Sequence, residues 1–61
     1  SIKQTEYQTI KEKVLNLLKE RPYSSAELVN TIPFEKEKTE KIVSFLLSEE
    51  IIRLNNGMLS L

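Results

Sequence analysis

In the stretch PFEKEKTEKIV, from Pro33 to Val43, three glutamates alternate with three lysines just ahead of an apolar run. Lysines in such a turn can grip phosphates and glutamates repel them, while a mixed set is also the ordinary solvated face of a helix. The neighbouring pair Ser24 and Ser25 carries the other clustered hydroxyls. A serine nucleophile needs a base, and the chain has no His to serve as one. It also has no Cys, so thiol nucleophiles, disulfides and the usual zinc ligands are absent together. A single glycine leaves no glycine-rich phosphate loop. Most acids fall on helical stretches beside a lysine or another glutamate, with no carboxylate pair inside an apolar pocket. No catalytic residue, metal ligand or cofactor is expected, and the segment is not read as an enzyme.

Elements must position the charged turn, and length limits them. A chain of 61 residues hides only about 60% of the surface its unfolded form exposes, which suffices for one small core and one domain. Nine Lys plus Arg balance nine acids, giving zero formal net charge. Domains that bind mainly through phosphates usually show a basic excess, so any hold on nucleic acid must come from a local patch. No apolar run reaches the roughly 18 residues of a membrane span, and no signal-peptide pattern opens the chain. A cytoplasmic, intracellular-type domain is expected, and a start at Ser1, not Met, fits a piece of a longer protein.

Residues 1–4 carry no periodic signal and read as a disordered lead-in or a cloning remnant, leaving 5–61 as the domain. From Thr5, Tyr7, Ile10, Val14, Leu17 and Leu18 recur at spacings of three and four, which predicts a helix to about Glu20. Pro22 closes it. In YSSAEL, Ser24 and Glu27 stand in the relation of a capping box, with Tyr23 and Leu28 placed as a hydrophobic staple. A short helix over about Ser25–Thr31 follows, with Leu28, Val29 and Ile32 inward. A third helix is predicted after Phe34, to Glu49 or Glu50, with no good N-cap residue. Its apolar arc of Ile42, Val43, Phe45, Leu46 and Leu47 leaves Glu37, Glu40, Lys41, Ser44 and Ser48 for solvent. In the tail, Asn56-Gly57 is a strong hairpin signal. Centring the turn there pairs Leu54 with Leu59 and Ile52 with Leu61 as four inward apolar positions, with Arg53 and Ser60 on the other face.

The order helix, stub, helix, tight turn, helix, hairpin resembles the winged helix-turn-helix superfamily over residues 5–61. KTEKIVSFLLSEEIIRL is similar to the run in which a third helix leads through a hydrophobic pair into the first wing strand. The expected fold is therefore mainly α with a small β-hairpin. Two departures stand out. Glu50 occupies a position where many relatives have glycine, which leaves the helix end without a residue suited to a left-handed cap. The wing is clipped to the tip Asn56-Gly57, where DNA-binding members often carry a longer basic loop.

The resemblance implies that the exposed face of the third helix enters a major groove of double-stranded DNA. On that reading Lys36, Lys38 and Lys41 grip the backbone, Ser44 supplies a donor, and Arg53, Asn55 and Asn56 approach an adjacent groove. The domain would then be a DNA-associated module of a transcription- or replication-related protein. The alternative is a protein-docking module. Its candidate contacts are Leu15, Phe45 and Leu47 on helix flanks, or the outer strand from Met58 to Leu61, with a homodimer as one variant. Against each stands a plain structural role: EKEKTEK as self-paired surface charge, the apolar flanks as recruited core, the strand as a harmless edge.

Overall fold

The computed structural model describes residues 3–61. Helix α1 spans Gln4–Glu20, and its apolar stripe buries Ile10, Val14 and Leu18 while Tyr7 and Leu17 pack half-buried against the same core. Lys3 caps it without a side-chain hydrogen bond, so the helix begins at Gln4, inside the stretch expected as a lead-in. The remainder of that expected lead-in, residues 1–2, lies outside the described residues. Arg21 leaves the helix in extended backbone ahead of Pro22, as a proline demands of its predecessor.

Helix α2, Ser25–Thr31, opens on a complete capping box. The Glu27 N–H donates to Ser24 Oγ at 3.1 Å, and the Ser24 N–H donates to Glu27 Oε1 at 2.9 Å. Tyr23 and Leu28 are both buried in the core, where the staple positions place them. Arg21 closes over this junction, its guanidinium 3.8 Å from the Tyr23 ring centroid and 3.3 Å from Glu27. The Ser24 N–H first, and Arg21 second, hold the Glu27 carboxyl below the ordinary glutamate range.

Helix α3, Lys36–Ser48, starts at Glu35 with no side-chain cap, in line with its sequence. Its inward residues are Thr39, Ile42, Val43 and Leu46. Thr39 is fully buried, and its hydroxyl donates to the Glu35 carbonyl at 3.1 Å. The helix end departs from expectation. Glu50 itself adopts the left-handed conformation, φ 61°, its N–H bonds Leu47 O at 3.0 Å, and the Ile51 N–H bonds Leu46 O at 2.9 Å. This is a Schellman cap made without glycine.

Strands β1, Arg53–Asn55, and β2, Met58–Ser60, pair antiparallel with Leu54 opposite Leu59 and Arg53 opposite Ser60. Asn56 and Gly57 both take positive φ, 52° and 77°, as a type I′ turn requires. The Leu54–Leu59 pair is the expected one, whereas Ile52 and Leu61 lie outside the paired residues, and only half of the expected apolar face is covered. Ile52 and Leu59 are buried, whereas Leu54 is 59% and Leu61 52% exposed. Helix α1 packs on β2, which leaves β1 and the last residue beyond the core.

The stub between α1 and α2 adds a third line to this sheet. Tyr23 forms a bridge with Leu59, exchanging N–H···O bonds of 3.1 and 2.6 Å. Strand β2 is therefore interior at Leu59. The radius of gyration, 10.4 Å, matches the roughly 10.5 Å typical of a folded chain this long. Among the described residues, no helix is long and apolar enough to cross a membrane.

Candidate nucleic-acid interface

The residues buried in α3 decide which side chains it turns to solvent. With Thr39, Ile42, Val43 and Leu46 inward, the opposite strip carries Glu37, Glu40, Lys41, Ser44 and Ser48, all exposed. Lys36 stands exposed at its N-terminal end. Arg53, Asn55 and Asn56 are likewise exposed on the hairpin.

Lys38 does not join them. One step around the helix from the strip, it reaches back to α1, where its Nζ donates to Glu6 Oε2 at 2.9 Å and lies 3.9 Å from Glu35. Its side chain is 29% exposed. The Glu6 contact raises the Lys38 ammonium above the ordinary lysine value, and Lys38 in turn holds the Glu6 carboxyl below its ordinary range. An ammonium held this way serves α1–α3 packing, so in this structure Lys38 is turned to Glu6 and away from the exposed strip. Lys41 keeps a looser pairing, 3.9 Å from Glu37 with both side chains well exposed, which costs little to break.

Of the predicted protein contacts, Leu15 and Leu47 are half-buried against the core, the recruited-flank role. Phe45 differs. Its ring meets Tyr7 edge to face, with centroids 5.8 Å apart and planes at 79°, yet it remains 46% exposed. The outer-strand expectation needs a correction. Met58 is half-buried and Leu59 is paired on both sides, so an extended peptide cannot add there. The accessible edge belongs to β1, whose only strand partner among the described residues is β2. Because Leu59 directs its N–H and C=O to Tyr23, the opposing Leu54 points its own backbone groups outward.

No family model, curated protein or solved structure matches the chain. The geometry alone therefore carries the functional reading. Among the described residues, no cluster of three or more acids could hold a metal ion. Tyr7, Lys11 and Gln4 were absent from the sequence-based candidates. Tyr7 was visible only as a core residue of α1, and its meeting with Phe45 joins positions too distant in the chain for any local pattern to reveal.

Proposed function

We propose that the chain is a winged-helix domain that associates with double-stranded DNA as a module of a larger transcription- or replication-related protein. The order of its three helices and hairpin supports the family reading. One observation carries the DNA reading: Lys36, Lys41, Ser44, Arg53, Asn55 and Asn56 are all exposed on the outward side of α3 and on the hairpin. Lysine and arginine neutralise phosphate, while serine and asparagine offer donors to phosphate or base edges. Glu37 and Glu40 share the strip and oppose phosphate. The cationic contribution thus reduces to Lys36, Lys41 and Arg53, which implies weak binding with a shallow salt dependence, a log–log slope no steeper than about −3.

The test is an amide NMR titration with a short mixed-sequence duplex at low and then physiological salt. Shifts are expected from Lys36 to Ser44 and from Arg53 to Asn56, fading with salt. Joint Lys36→Glu and Arg53→Glu substitution should abolish them. No shifts at low salt would overturn the reading.

A second reading is favoured by the open edge of β1. A groove of about 470 Å³ lined by Leu47, Glu50, Ile52, Arg53 and Leu54 runs beside it, and an extended peptide adding to that edge is the occupant it fits. Such binding would persist at high salt, unlike that to DNA.

A further inference from the structure

The cleft between α1 and α3 adjoins the outward strip and shares Lys41 with it. It is lined by Gln4, Tyr7, Lys41, Ile42 and Phe45, with a volume of about 410 Å³. Ile42, 2% exposed, is its apolar floor. Phe45 and Tyr7 form an edge-to-face pair there, the edge of one ring against the face of the other, so the pair is not a closed parallel stack. Phe45 stays 46% exposed beside this cleft, which leaves ring surface that a planar ligand can meet.

The charges around these rings say what the occupant is. Lys11 holds its Nζ 5.8 Å from the Tyr7 centroid, and Lys41 stands in the cleft wall. Glu6, the acid of α1 on this side, is already neutralised by Lys38. Glu37, 3.9 Å from Lys41, is an exposed counter-charge that a phosphate can displace. Two cations beside two aromatic rings suit a ligand with a flat π face and a negative backbone. We infer that the Tyr7–Phe45 cleft binds an unpaired base of single-stranded nucleic acid, stacking it on Phe45 while Lys11 and Lys41 hold the flanking phosphates.

This site rests on the nucleic-acid reading only through Lys41. Neither aromatic ring belongs to the duplex surface, so the two can fail separately. The test uses fluorescence anisotropy of a labelled oligothymidine of about ten nucleotides and of a duplex of the same length, at low salt. Phe45→Leu keeps the apolar contact with Tyr7 and removes the π face. It should weaken single-strand binding roughly 5- to 150-fold, the range expected for one stacked base, and leave duplex affinity unchanged. Phe45→Tyr should retain it. Upfield shifts of thymine ring protons on binding to the unaltered chain, lost in Phe45→Leu, would identify the stack directly. Absence of oligothymidine binding, or equal affinity of Phe45→Leu and the unaltered chain, would overturn the proposal. Loss of duplex binding alone, in the Lys36→Glu and Arg53→Glu chain with single-strand binding intact, would support it as an independent site.

Discussion

At Glu50 the chain accepts a backbone conformation that crowds any side chain. Its φ of 61° lets the two Schellman hydrogen bonds form, and a residue with a Cβ there loses on the order of 1 kcal/mol relative to glycine. Glycine loses more entropy on folding, which offsets part of the gain. Glu50→Gly is therefore expected to stabilise the domain by about 0.5–1 kcal/mol, raising Tm by roughly 2–8 °C in thermal unfolding. An unchanged or lower Tm would mean that the Glu50 side chain contributes something the hydrogen bonds do not reveal. Thr39 shows the opposite accommodation. A polar residue sits fully buried because its hydroxyl is satisfied by the carbonyl one turn back, so its burial leaves no orphaned group.

Seven residues make α2 too short to stand alone, so its stability comes from its cap and from the core. Ser24 satisfies one free N–H of the first turn, and the adjacent Tyr23 ties the same segment to Leu59. Ser24→Ala should cost about 1 kcal/mol, and Ser24→Gly only a few tenths, in urea unfolding. No loss in the alanine variant would show that water replaces the hydroxyl there at no cost. The coupling of cap and bridge also explains the sheet. Without the stub, β1 and β2 would be a two-stranded ribbon, which is marginal in water.

At the scale of the whole molecule, one ion pair among the described residues joins positions far apart in the chain, Glu6 on α1 and Lys38 on α3. Glu6 is held below its ordinary range, so its contribution is present above the ordinary glutamate value and is lost as pH falls through the depressed one. Lys38 is raised, so its contribution is present below the ordinary lysine value and is lost as pH rises through the raised one. Stability should be flat between these limits. Glu6→Gln is expected to shrink the fall in urea midpoint from neutral pH to about pH 3, and added salt should shrink it further. The acid-side fall should not vanish, because Glu27 is depressed by its own cap. An unaltered pH profile in Glu6→Gln would show that the pair contributes nothing in solution. What the chain itself determined lies within a few residues: the stripe on α1, the Ser24–Glu27 box, and the turn that Asn56-Gly57 makes with both φ positive. Periodicity, caps and turn dihedrals are local, so residue type suffices to read them. Lys41 and Ser44 were legible as exposed for the same reason, being opposite the apolar arc of one helix, with Lys36 at its N-terminal shoulder. Tertiary structure alone decided that Lys38 faces Glu6, that Phe45 meets Tyr7, that Leu54 stays uncovered, and that Tyr23 closes the outer side of β2. Each of these depends on how two elements distant in sequence cross, and a helix flank or a strand edge carries no local mark of the neighbour it will meet.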